Sequence, residues 1–368
     1  MNVLLIGAAS ELANQLIKKM NKEGHRVSLL TGSRYGQEKY ERVFERYDFQ
    51  YTNVSMIEIF ESAAPDAVIY LGAYDRTYNW VNAQEDSVRF ISGLMSILMA
   101  YASYGRGRFL FLSSEAVFSW TGEKKETDKP DDTELKGMAV AQGEALCDSF
   151  RISRDMDILT VRLGGLYGVA RELSYVDSFP AAMSLEALQT GHVSARADCK
   201  RSLLHVADAV QFLGQILAAP EHKYNLYHIT GQTVEEEEVA RYVAAAFVEQ
   251  RKERGETPNE EIKVDVTKGK GTLHMSLDCT RFREEFGINR LNDVNESVQK
   301  IVRRMVRHKE LFLTDREVAL PWYKRLWMKA GWAFQALLPF LENMIAFIPF
   351  FILNNHAAGS QFFAKIDF

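Results

Sequence analysis

A serine pair and a carboxylate, Ser113-Ser114-Glu115, close the apolar run Phe109-Leu110-Phe111-Leu112. Four apolar residues in a row suit a strand buried on both faces of a parallel sheet. Ligands meet such sheets at the carboxyl ends of the strands, so Ser114 and Glu115 stand where chemistry is expected. A proton donor and acceptor should follow them, yet no tyrosine occurs from Gly105 to Arg162. Lys136 could serve as a base if buried. The residue one helical turn on is Val140, which brings no charge to tune it.

A second constellation lies at the start. Asn2 to Ile6 reads as a buried strand, and Gly7-Ala8-Ala9-Ser10-Glu11-Leu12-Ala13 as the turn into a helix reaching Asn21. Glycine at such a turn lets a pyrophosphate approach backbone N–H groups at a helix start. Of a Gly-x-x-Gly-x-x-Gly pattern only Gly7 is kept, with Ser10 and Ala13 in the other places. Ser10 crowds the approach, and Glu11 puts negative charge where an anion would lie. After the second strand, Arg26 to Leu30, an acid would bind ribose hydroxyls, but Ser33 and Arg34 follow, which favours a 2′-phosphate and so NADP over NAD. Ala8, Asn53 and Leu71-Gly72-Ala73, at the ends of neighbouring segments, complete the expected dinucleotide-lining set.

Those positions need a scaffold, and the chain can build one. At 368 residues, 47% hydrophobic and 25% charged, it has the composition of a globular protein with a sizeable core. A net charge of −5 argues against nucleic acid as a partner. Cys147, Cys199 and Cys279 offer neither metal spacing nor a disulfide framework, so a reducing, cytoplasmic setting is expected. The N-terminus enters a strand directly, with no signal-peptide pattern. A short strand is expected near Phe49 to Tyr51, a helix from Asn53 through Glu61, a strand after Pro65-Asp66, and a helix over Ser87–Ser103. Strand and helix alternating at this spacing predict an α/β fold with a doubly wound parallel sheet.

In its motifs the chain resembles the extended short-chain dehydrogenase/reductases, and among them the nucleotide-sugar epimerases and dehydratases. The resemblance rests on Ile6-Gly7-Ala8, the run Pro65 to Leu71, the run Phe111 to Phe118, Val161 to Gly168, Arg201 to Asp208, Tyr224 to Ile229, and Asp278 to Arg281 with Phe286-Gly287. It implies a Rossmann-type domain over residues 1–165 and a smaller substrate lobe over 166–310, interleaved with the sheet. It also implies that Arg201 meets the diphosphate of a sugar nucleotide, and that two helices, Ser87–Ser103 and the one holding Glu144, pair in a homodimer. Met95, Leu98, Met99 and Leu146 could supply its apolar surface or equally belong to the core. Asp208 is read as capping the helix Ala209–Leu217, and Thr233 as capping a helix whose first turn is Glu235 to Glu238, acids matched to the helix dipole.

The family's chemistry uses Tyr-x-x-x-Lys on one helix face, the lysine lowering the tyrosine pKa while the tyrosine moves the sugar hydroxyl proton. Aligned on Glu144, those places hold Lys136 and Val140. Phe90 replaces a usual asparagine, and Gly165 another polar residue. Ser114 remains, with Glu115 where dehydratases place an acid. The domain therefore reads as catalytically degenerate, unless a distant tyrosine comes within bonding reach of both Ser114 and a seated nicotinamide.

Beyond residue 310 the composition changes. Arg303, Arg304, Arg307, His308 and Lys309 form a basic helix face, and Pro321 to Lys329 mixes Trp and Tyr with cations, as interfacial helices do. Ala333 to Leu353 holds one charge, Glu342, but Pro339 and Pro349 oppose a simple span, so an interfacial or re-entrant segment is expected within 320–368. The abrupt end at Phe368 carries the expectation of a longer protein. Three readings are open: a degenerate binding and dimerisation module at the cytoplasmic face of a membrane, in cell-surface glycan or exopolysaccharide synthesis; an active NAD(P)-dependent epimerase, dehydratase or reductase with Lys136 or Glu115 as an unusual base; or an NADP(H) sensor.

Overall fold

Strand β1 (Asn2–Ile6) shows why these runs are apolar throughout: Val3 and Leu5 enter one core, Leu4 and Ile6 the other. The computed structural model describes residues 1–313 except 8–9, 32–41, 46–52, 76–77, 79, 171–175, 177, 256–260 and 289, with backbone alone at 42–45, 53–55 and 269–271. After β1 come α1 (Glu11–Lys22), β2 (Arg26–Thr31), β3 (Arg42–Glu45), α2 (Asn53–Ala63), β4 (Ala67–Tyr70), α3 (Ala83–Tyr104) and β5 (Arg108–Ser114). Then β6 (Thr121–Lys124), α4 (Leu135–Arg154), β7 (Ile158–Leu163), β8 (Gly165–Tyr167), α5 (Phe179–Thr190), β9 (His192–His205) and α6 (Val206–Ala218) follow. The remainder is β10 (Leu226–Ile229), β11 (Gln232–Glu235), α7 (Glu236–Glu253), β12 (Lys263–Leu277), α8 (Thr280–Phe286) and α9 (Val294–Arg307).

The main sheet is wholly parallel in the order β10-β7-β5-β4-β1-β2-β3. Helices α1 and α6 cover one face, and α2, α3 and α4 the other. The strand order reverses between β1 and β4, and at such a switch point the strand ends part to leave a crevice. A second sheet, β11-β9-β12-β6 with β8 beside β9, packs under α5, α7 and α9. Residues Met1–Phe312 form one compact unit, and β10 joins the main sheet from well along the chain.

Several local expectations are corrected. The third strand described is Arg42–Glu45, while residues 46–52, where one was expected, lie outside the described residues. Helix α3 begins at Ala83, because Asn82 caps it by accepting from Glu85 N–H, and it runs on to Tyr104. Helix α6 is capped by His205, whose Nδ1 accepts from Ala207 N–H at 3.2 Å. Asp208 is not the cap; its carboxylate takes both Asn292 N–H, at 2.9 Å, and Asn292 Nδ2, at 2.6 Å. Thr233 lies in β11 with its hydroxyl 3.1 Å from that of Ser202, and α7 starts later, after Glu235. Leu98 is core rather than surface, since it falls on the side of α3 that faces the sheet.

Among the described residues no helix is long and apolar enough to cross a membrane. Residues 320–368 lie outside the described residues.

Candidate functional site

The carboxyl ends of β1, β4, β5 and β7 bring together groups far apart in the chain. Gly72 makes the approach possible: at φ +56° it lets the turn after β4 pass so close to β5 that a Cβ would lie 2.2 Å from the Leu112 carbonyl oxygen. That turn delivers Tyr74, whose phenol hydrogen-bonds Ser114 and donates to the Leu163 carbonyl at 3.2 Å. A tyrosine from a different strand end therefore stands where no nearby one exists, which corrects the expectation that Ser114 lacks a phenol. Burial raises its pKa well above the ordinary phenol, the Ser114 hydrogen bond opposes this only partly, and the Glu115 charge adds to the rise. Among the described residues no lysine lowers it.

Ser114 ends β5, and its hydroxyl accepts from Ala116 N–H at 3.2 Å, starting a short 3₁₀ turn over Glu115–Val117. Burial raises the Glu115 carboxyl to about 8, against the lowering effects of Arg201 and of the Gly165 N–H. One of its oxygens, Oε2, is buried without a hydrogen-bond partner. The absence of a side chain at Gly165 matters here: a Cβ would lie 2.9 Å from the Ser202 carbonyl oxygen and 3.2 Å from Glu115 Oε1. At neutral pH the cluster thus offers a neutral phenol, a hydroxyl and a mostly protonated carboxyl. These can donate to an oxygen; none is poised to take a proton.

Helix α4 is held in one rotation by Glu144. Its carboxylate takes Arg162 at 2.8 and 2.7 Å and Ser113 Oγ at 2.5 Å, all inside the sheet–helix interface. Arg162 also lies 3.2 Å from His228 Nε2, and burial followed by the Arg162 charge lowers that histidine to about 3, so it is neutral. With Glu144 pinned, Val140 points into the apolar cluster of Phe90, Val117 and Phe118 and is 0% exposed. Lys136 places its ammonium 5.9 Å from the centre of the Trp80 ring, and burial lowers its pKa against the raising effect of Glu134. Where an amide was expected, Phe90 packs among Tyr70, Tyr78, Trp80 and Phe111, with ring centres 5.4–6.4 Å away.

Gly7, at φ +86°, opens the turn after β1, whose residues 8 and 9 lie outside the described residues. Ser10 is buried, and its hydroxyl accepts from Ala13 N–H, 3.2 Å away, as the cap of α1. The Asp75 carboxylate lies against Gly7, where a Cβ would sit 2.7 Å from its Oδ2. Glu11, in the first helical turn, accepts from Gln15 Nε2 at 3.1 Å. The Asp75 and Glu11 carboxylates put negative charge near the place where a pyrophosphate would approach, while the Ser10 hydroxyl, which accepts from Ala13 N–H, keeps its own proton to donate. Leu71 is buried in the core and Ala73 half-buried beside the other core. Asn53 opens α2, and its side chain, like Ala8, Ser33 and Arg34, lies outside the described residues.

Arg201, on β9, lies with its guanidinium 4.7 Å from the Trp120 ring centre and 4.0 Å from that of Phe179. Its charge is already met by Glu236, which also takes Arg196 at 3.1 Å and the Cys199 thiol at 3.1 Å. Burial works against a charged Glu236, but hydrogen bonds from Arg196 and Cys199 and the nearby Arg201 hold it down at about 2. Glu236 is thus an ion-pair partner as well as a first-turn acid, a role its run of four glutamates conceals.

Tyr74, Asp75 and Glu236 were not singled out by sequence reasoning. A weak signal existed for the first two, since they directly follow the small residues at the end of β4.

Among curated proteins none matches this chain. Solved structures of the same architecture include a UDP-glucose 4-epimerase of Thermotoga maritima with UDP-glucose, at TM-score 0.69 and 18% identity over 84% of this chain and 100% of the other. A dTDP-glucose 4,6-dehydratase of Bacillus anthracis in complex with NAD aligns at TM-score 0.68 and 14% identity, over 84% and 98%. The UDP-glucose 4-epimerase of Thermus thermophilus with NAD aligns at 0.65 and 18%, over 83% and 99%. At these identities the likeness speaks for the fold. Residues 3–229 match the sequence profile of the NAD dependent epimerase/dehydratase family, and with the parallel sheet and its switch point described above, the chain belongs to that family.

Proposed function

We propose that this chain is a catalytically silent member of the family, acting by self-association and binding at the cytoplasmic face of a membrane rather than by turnover. The observation that carries the reading is the face of α4: Val140 is fully buried in the place of the ribose-binding lysine, one turn from Lys136 in the place of the tyrosine. General acid–base help is worth about 10²–10⁴-fold, and hydride transfer from a sugar carbon needs its hydroxyl proton removed at the same time. Tyr74 and Glu115 are both held protonated near neutral pH, so they support binding of a carbonyl or hydroxyl oxygen and leave proton removal without a base.

Both places where the resemblance puts phosphate, the turn at Gly7 and Arg201, carry this chain's own carboxylates, Asp75 and Glu236. Binding of a nucleotide sugar or of NAD(P) is accordingly read as weak, and no chemical step is routed through a dinucleotide. The family's cofactor supplies hydride acceptance when bound; here the residues described would do no more than hydrogen-bond its neighbour oxygen. Self-association is supported by exposed apolar residues on α3 and α4, and membrane contact by the composition of residues 320–368. A place in cell-surface glycan assembly rests on the fold's association with sugar nucleotides alone.

The test combines calorimetry with NAD, NADP and UDP-glucose, mass spectrometry of whatever co-purifies, and an NMR assay for epimerised or dehydrated sugar. Weak binding without turnover is expected, with Asp75→Asn raising dinucleotide affinity. Epimerisation that Ser114→Ala abolishes would overturn the reading and favour the alternative of an active enzyme with Lys136 or Glu115 as an unusual base.

A further inference from the structure

Helix α9 carries Lys300, Arg303 and Arg307 at i, i+3 and i+7, which places them on one side of the helix, and all three are exposed. Its other side, with Val298, Ile301, Val302 and Met305, is buried. Arg304 and His308 flank the cations, and a groove there is lined by these five residues alone. The acids nearby are Glu253, 3.5 Å from Arg303, Glu310, 3.5 Å from His308, and, on the same side of the helix, Glu296 one turn before Lys300 and Asp293 at the N-cap, so the stripe is cationic only from Lys300 onward. Arg303 and Glu253 are each about half exposed, at 45% and 49%, so their pairing neutralises little in water. In a chain of net charge −5, this face inverts the overall sign.

The sequence beyond α9 indicates its partner. Trp322, Tyr323 and Trp327 alternate with Lys324, Arg325 and Lys329, and Ala333 to Leu353 carries Glu342 as its one charge. Aromatic and cationic residues ahead of an apolar stretch match the headgroup zone of a bilayer. A polynucleotide would call for aromatic platforms among the cations, and α9 has no aromatic residue. We propose that the outer face of α9 is an electrostatic docking surface for an anionic lipid bilayer. The inference rests on the membrane reading above and adds a specific surface and lipid charge to it.

The experiment uses the full chain and vesicles of phosphatidylcholine alone or mixed with phosphatidylglycerol. The wild type is expected to prefer the mixed vesicles, and the preference to fall as salt rises from about 50 to about 200 mM. The variant Lys300→Gln/Arg303→Gln/Arg307→Gln should lose about 10- to 100-fold of its partition to mixed vesicles, with binding to neutral vesicles unchanged. A control removing three exposed cations elsewhere, Lys18→Gln/Lys22→Gln/Lys263→Gln, should keep the preference, and thermal melting checks that both variants fold. If the stripe variant retains its preference within about twofold, or the control loses as much, the docking surface is wrong while the membrane reading stands. Binding to neither vesicle removes both. An RNA homopolymer that binds at the same salt and displaces the vesicles would also overturn the proposal.

Discussion

Glu115 makes a pH dependence that can be measured without knowing any ligand. Its folded pKa is raised to about 8 from an unfolded value of 4.5, so the folded state holds a proton that the unfolded chain has given up. Stability from this group is therefore undiminished below the unfolded value, and is lost as pH rises toward and through the folded one. Glu115→Gln should remove that loss: thermal melting near about pH 8.5 should show a gain on the order of 3 kcal/mol, shrinking to little near about pH 5. An equal gain at both would show that burial of the carboxyl is not what raises its pKa. Glu236 has the opposite sign, because its folded value of about 2 lies below the ordinary carboxylate. Its contribution is present above 4.5 and fades as acid takes the pH down through the folded value.

At the scale of the element, α4 decides whether the family's relay could be restored. Its rotation is set by the buried Glu144–Arg162 pair, which leaves Lys136 partly exposed at the Trp80 ring and Val140 in the core. Lys136→Tyr should fold normally. Val140→Lys should not, because a lysine there buries a charge with no partner among the apolar residues of its cluster; a loss of about 3–5 kcal/mol in chemical denaturation is expected. If Val140→Lys is tolerated and the double variant gains turnover, the core at this turn is more permissive than its packing indicates. Gly143 reinforces the constraint, since a Cβ there would meet Phe111 at 2.9 Å and Phe90 at 3.1 Å, so helix and sheet cannot easily separate to admit a longer side chain.

For the whole molecule, the prediction concerns a second copy. Val88, at 70% exposure, and Met99 lie on α3; Met138 and Ile152, at 66%, lie on α4, and the two helices pack side by side. Large apolar residues at these exposures on neighbouring helices favour association. Val88→Asp with Ile152→Asp should shift the protein from dimer to monomer in sedimentation velocity with its melting temperature little changed. A wild type that already sediments as a monomer at micromolar concentration would remove self-association from the proposed function. Dimerisation and the basic face of α9 are independent in this respect, because they involve different helices.

Much of the fold was legible in the chain by itself. Apolar runs such as Val3 to Ile6 and Phe109 to Leu112 suit strands with both faces covered, and their alternation with amphipathic helices points to a parallel, doubly wound sheet. That Lys136, Val140 and Glu144 share one helix was equally legible, since it depends on spacing within a single segment. Local capping was less so: His205 rather than Asp208 caps α6 because its Nδ1 reaches Ala207 N–H, Asn82 starts α3 a turn before the expected Ser87, and α7 begins after Glu235 with no side-chain cap. Only the tertiary structure could bring Tyr74 to Ser114, set Asp75 against Gly7, and join Arg201 to Glu236. Each of those meetings crosses between strands whose neighbours in space are distant in sequence, and the sign of a pKa shift follows from that burial and company rather than from the residue alone.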